Sequence, residues 1–96
     1  MVEPEYRYFS IVSENYPRDN PVELVRAWGG SEGLTFEENF APQLVWKRSH
    51  LLDRISRGSV SWDSEEVSAE DAMRILETLT QRLIVEMEET RRILGE

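Results

Sequence analysis

The sequence predicts an α+β fold: a small, mainly antiparallel sheet of about three strands, two short helices and one long C-terminal helix. Residues 5–14, EYRYFSIVSE, are rich in the aromatic and β-branched residues that favour strands. Residues 69–94 contain no Gly or Pro and carry apolar residues at helical spacing. Between them, Gly, Pro and Asn clusters cut the chain into short segments. Ninety-six residues with 40% hydrophobic content suffice for one domain, 1–96, with a small core. The strand-rich part is expected over about 5–62. Cores of this size are often supplemented by a partner or by self-association.

Along residues 6–13, Tyr6, Tyr8, Ser10 and Val12 share one strand face, and Arg7, Phe9, Ile11 and Ser13 the other. Both faces are partly apolar, which predicts a strand covered on two sides. NYPRDNP (15–21) is loop chemistry. At its end, Asn20 as N-cap, Pro21 at the first helical position and Glu23 predict a short helix over 21–28. Val22, Val25 and Trp28 would form its apolar edge, and Gly29–Gly30 its stop.

Leu34 and Phe36 predict a strand over 33–37, and Glu38–Asn39 a turn. A second strand over 43–47, with Leu44 and Trp46 on one face, would complete a hairpin limited by Pro42. Ser49 and Gly58 bracket a short helix with Leu51, Leu52 and Ile55 facing inward. Val60 and Trp62 alternate, as in a very short fourth strand or an extended connector.

The last segment has the clearest pattern. Ser68 with Asp71 resembles a capping box, acids gather at the start, and Arg91 and Arg92 lie near the end. Ala72, Leu76, Leu79, Leu83, Met87, Thr90 and Leu94 repeat over eleven residues, the period of a nearly straight helix. A helix over 69–94 would be about 39 Å long. A compact domain of this size is roughly 32 Å across. The helix therefore either overhangs the domain or breaks, and an overhang bearing Met87, Ile93 and Leu94 favours a partner helix.

Composition excludes several chemistries. With no cysteine, disulfides, thiolate nucleophiles and cysteine-based zinc sites are ruled out. The net charge of −8 argues against nucleic-acid binding and suits solubility or a partner with a basic surface. MVEPEYRYF lacks the features of a secretory signal, and the longest aliphatic run, Leu83–Val85, is far too short to span a membrane. A cytoplasmic protein is the expectation.

No constellation reads as catalytic. The single histidine, His50, has Asp53 three residues on, but a metal site needs further ligands, so a surface histidine is the simpler reading. None of the serines sits in a nucleophile elbow. Paired acids such as Glu65–Glu66 and Glu88–Glu89 read as solvated or capping groups. GGSEG (29–33) lacks phosphate-loop spacing. The three tryptophans fall on apolar stripes and read as core.

Two patches are candidate partner-binding sites. Lys47, Arg48, Arg54 and Arg57 against Asp53 alone give residues 47–57 a charge of +3. His50, Arg54 and Arg57 share one helix face. This stripe either docks an acidic group or pairs with the chain's own acids, such as Glu65, Glu66 or Glu70; internal pairing suits the acidic chain better. The second patch is Leu83, Met87, Ile93 and Leu94. The expected function is a small acidic protein-interaction module of the adaptor, inhibitor or antitoxin type, without enzymatic activity or cofactor. The alternative is a structural subunit that forms a homodimer through its C-terminal helix. Direct nucleic-acid binding through 47–57 ranks behind both.

Overall fold

The computed structural model describes residues 5–30, 33–40 and 45–95, with only backbone described at 30 and 33–35. Five strands form one antiparallel sheet: β1 (Arg7–Val12), β2 (Glu23–Gly30), β3 (Gly33–Phe40), β4 (Trp46–Arg48) and β5 (Asp63–Val67). Their spatial order is β4-β3-β2-β1-β5. Two helices complete the chain, α1 (Leu51–Ser56) and α2 (Ala69–Ile93). The α+β class, the antiparallel sheet and the long C-terminal helix match the expectation. The sheet has five strands rather than about three, and α1 is the one short helix among the described residues.

The main correction concerns residues 21–28. Residues 23–28 lie in the central strand β2, with Pro21 and Val22 leading into it, and none of the eight is helical. Glu23, Val25 and Ala27 point to one face, and Leu24, Arg26 and Trp28 to the other. Leu24, Val25 and Ala27 are buried on the two sides. Capping signals cannot hold an eight-residue helix on their own. Two neighbouring strands supply the backbone hydrogen bonds instead, and Val22, Val25 and Trp28 suit a pleated surface. Gly29 follows a bulge in the β2–β3 ladder and does not stop a helix.

Glu38 and Asn39 lie inside β3, opposite Arg26 and Val25, and make no turn. Phe40 pairs with Trp46 across the β3–β4 ladder. That pairing forms the expected hairpin, although residues 41–44, including Pro42 and Leu44, lie outside the described residues. Residues 59–62 are a connector, and the following strand, β5, uses Glu65 and Glu66 in the sheet rather than at the helix start.

Each sheet face has its own core. On one, α2 sets Ala72, Ile75 and Leu79 against Leu24 and Val67, flanked by Tyr8, Phe40, Trp46 and Leu76. On the other, α1 sets Leu51 against Ile11 and Val25, flanked by Leu52, Ile55, Val60 and Trp62. Full burial of an Ile, Leu or Val side chain contributes about 1.5–3 kcal/mol.

The loop between β1 and β2 is tied to α2. Buried Ser10 donates its hydroxyl to the Arg18 carbonyl at 2.9 Å, and Arg18 reaches Asp71 at 2.6 Å. Arg82 donates to the Asn20 side chain at 2.8 Å and the Val22 carbonyl at 3.2 Å, with its guanidinium 5.2 Å from the Tyr16 ring centre. Beyond Arg82, no α2 side chain hydrogen-bonds to the sheet or loops among the described residues.

Candidate functional site

The two sequence-marked patches lie on opposite sides of the sheet, so they do not form one site. The basic segment starts at β4 and continues through α1. The first turn of α1 is closed by two groups from outside it. The Ser49 hydroxyl accepts from the Leu51 amide at 3.0 Å, and Glu37 on β3 accepts from the Leu52 amide at 2.8 Å. The Ser49 amide in turn donates to the Glu37 carbonyl at 3.0 Å. His50 occupies the N-cap position without a side-chain capping bond. Gly58, with φ of 72°, ends the turn in the left-handed region that glycine tolerates.

The five basic-segment residues separate into four environments. Arg57 pairs with Asp53 at 3.2 Å along the exposed side of the helix. Arg48 turns to the α2 side of the sheet, its guanidinium 5.3 Å from the centre of Phe36. There it joins a lattice in which Arg26 lies 4.5 Å from the Tyr6 centroid and 4.3 Å from that of Trp46, and bonds Glu38 at 2.7 Å. Trp28 stacks on Phe36 at 5.6 Å and meets Tyr6 edge-on at 5.3 Å. Trp28 and Trp46 thus belong to an aromatic–arginine layer, only partly covered, in which cations and rings satisfy one another.

Lys47 is exposed on β4, while His50 and Arg54 line a cleft between α1 and the sheet. Neither Lys47 nor Arg54 is in an ion pair among the described residues. The acids weighed as their partners are placed elsewhere: Glu66 accepts from Arg7 at 2.6 Å, and Glu65 and Glu70 form no ion pair among the described residues. Among the described residues, internal ion pairing of the stripe is therefore confined to Arg57.

The cleft holds about 480 Å³. Its inner wall carries Glu23 and Asn39, side by side on β2 and β3, with the Asn39 amide donating to Glu23 at 2.9 Å. Val60 and Trp62 supply an apolar wall. Burial holds the Glu23 carboxyl above the ordinary 4.5, and the Asn39 hydrogen bond opposes that shift. Sequence reading missed Glu23 and Asn39 as site residues because it placed one in a helix and the other in a turn. Residues 23–28 show no period-two alternation, because polar Glu23 and Arg26 fall on opposite faces three residues apart, so no local signal marked them as a strand. Among the described residues, no three His, Cys, Asp or Glu side chains gather as metal ligands.

The second patch lies at the far end of α2. Ala72, Ile75 and Leu79 are its buried residues, and every described residue after Ile84 is exposed. Met87 and Leu94 line a shallow concavity of about 330 Å³ with Glu86, Thr90 and Arg91. Leu83 is half-buried at the domain margin, and Ile93 projects on a neighbouring face. None of the described helices is long and apolar enough to cross a membrane.

Compared with known proteins, the chain matches no family model, no curated sequence and no solved structure.

Proposed function

We propose that the protein is a protein–protein interaction module that binds its partner through the projecting half of α2. The observation that supports it is continuity. The stripe that buries Ala72 and Leu79 runs on through Leu83, Met87 and Leu94 with no core beneath its end. Ile93 and Leu94 are 83% and 68% exposed. Apolar residues at this spacing fit an apolar groove on a partner protein, with Met87 and Leu94 as anchors two turns apart. Glu88, Glu89, Arg91 and Arg92 would form a polar rim of both signs.

Photocrosslinking tests this reading. A photoreactive residue at Met87, in cells of the native host, should give a discrete adduct that Leu94→Lys abolishes. The same label at the exposed Glu77 should not. Equal adducts from both positions would overturn the proposal.

A second reading is self-association. Two copies of α2 laid antiparallel about the midpoint of Thr90 and Arg91 would place Met87 against Leu94 and Glu89 against Arg92 of the other copy. Light scattering at tens of micromolar separates the two. A monomer that still gives the Met87 adduct supports a different partner protein, and a dimer dissociated by Leu94→Lys supports self-pairing.

A further inference from the structure

We propose that the cleft between α1 and the sheet binds a free α-amino acid with an apolar side chain, its ammonium at Glu23 and its carboxylate at Arg54. The site is independent of the projecting end of α2 and lies across the sheet from that helix.

Three features of the cleft point to this ligand class. The first is a half-buried acid without a cation. Glu23 faces the cleft from a central strand, and among the described residues its side-chain hydrogen bond comes from neutral Asn39. A carboxylate withdrawn from water gains most from an opposing charge or a proton. The raised proton affinity of Glu23 reflects the same deficit.

The second is a cation without an acid on the same cleft. Arg54 lines the cavity and forms no ion pair among the described residues, while the neighbouring Asp53 is engaged by Arg57. Arg48 also borders the cleft, but it stands cross-strand from Glu38 on the opposite sheet face and its guanidinium lies 5.3 Å from the Phe36 centre there, so the charge facing Glu23 across the cleft is that of Arg54. Glu23 and Arg54 thus line one cavity without bonding each other. A ligand bearing both charges, head to tail, would satisfy both groups at once. A simple anion would leave Glu23 uncompensated, and a simple amine would leave Arg54 so.

The third is shape. The volume of about 480 Å³ lies near the small end of ligand pockets, and Val60, Trp62 and Leu51 add an apolar wall beside the charged groups. An aliphatic side chain suits that wall. Ser49 and His50 at the rim offer further polar contacts to the carboxylate end.

The test uses L-leucine, N-acetyl-L-leucine and L-leucinamide as probes of the full-length protein, read by amide chemical shifts in NMR titrations. The acetyl compound lacks the ammonium and the amide lacks the carboxylate. L-leucine should produce saturable shifts at residues 49–51 and 60–62, and each analogue should bind about tenfold more weakly. Glu23→Gln retains an oxygen for the Asn39 bond, so it should fold normally. It should abolish the preference for leucine over N-acetyl-leucine while leaving the preference over leucinamide. Arg54→Gln should do the reverse. Equal binding of all three compounds would overturn the proposal. So would shifts confined to residues outside the cleft, or no shift with leucine in the folded wild type. N-acetyl-leucine binding as tightly as leucine would reduce the site to an anion pocket and equally overturn it.

Discussion

Glu37 and Glu23 lie on the same sheet face, yet their surroundings give them different roles. Glu37 accepts from the Leu52 amide and so supplies the cap that His50 does not. Glu37→Ala should cost about 1 kcal/mol in chemical denaturation, the usual worth of a helix cap. Hydrogen exchange at the Leu52 amide should quicken; unchanged exchange would show that Glu37 does not hold α1. Glu23 tests a different quantity, its pH linkage. Its folded proton affinity is raised, so its contribution to stability is full below about 4.5 and is lost as pH rises through the folded value. Glu66 has the opposite sign: Arg7 lowers its pKa, and its contribution is lost on acidification. Glu23→Gln should therefore gain stability relative to wild type between about pH 4 and pH 7. A flat difference in denaturation midpoints across that range would show that Glu23 is not desolvated.

At the scale of elements, α2 has two halves with different energetics. Its start is fixed by local chemistry: the Asp71 amide donates to Ser68 at 3.1 Å, and the Asp71 carboxylate is shared by Arg18 and Arg74. Ser68→Ala should cost about 1 kcal/mol. In the buried half, Leu79→Ala should cost about 2–5 kcal/mol, because it leaves a cavity against the sheet. In the projecting half, Met87→Lys and Leu94→Lys should stay within about 0.5 kcal/mol of wild type. One denaturation series over these four variants checks the division. A large loss from Met87→Lys would mean that the end of the helix packs on its own domain. The edge strands also differ. β4 carries Lys47 and Arg48, while β5 carries Asp63, Glu65 and Glu66, so like edges of two copies repel one another.

The whole molecule is elongated, with extents of 52 × 35 × 21 Å and a radius of gyration of 14.6 Å. A compact chain of this length would have a radius near 12–13 Å. The difference fits a helix that outruns its sheet. Small-angle scattering of the monomer should return the longer value. Removal of residues 87–96 should bring it toward the compact one while leaving thermal stability within about 0.5 kcal/mol. If the truncated chain unfolds, the projecting helix is part of the core and cannot be a free partner surface.

The parts legible in the sequence were those whose determinants lie within a few residues of one another. Ser68, Asp71 and the eleven-residue apolar repeat marked α2 almost to the residue, and Ser49, Gly58 and the Leu51–Leu52–Ile55 side marked α1. The two-sided apolar pattern of β1 was equally local. Only the tertiary structure decided β2, because a strand's hydrogen bonds come from chains distant in sequence. There Ile11, Asn39 and their neighbours outweighed the helix-start chemistry of Asn20 and Pro21. The same nonlocal pairing recruited Glu65 and Glu66 into β5. It also carried Glu23 beside Asn39 and under α1, where an acid that looked like a capping residue became the half-buried wall of a cleft.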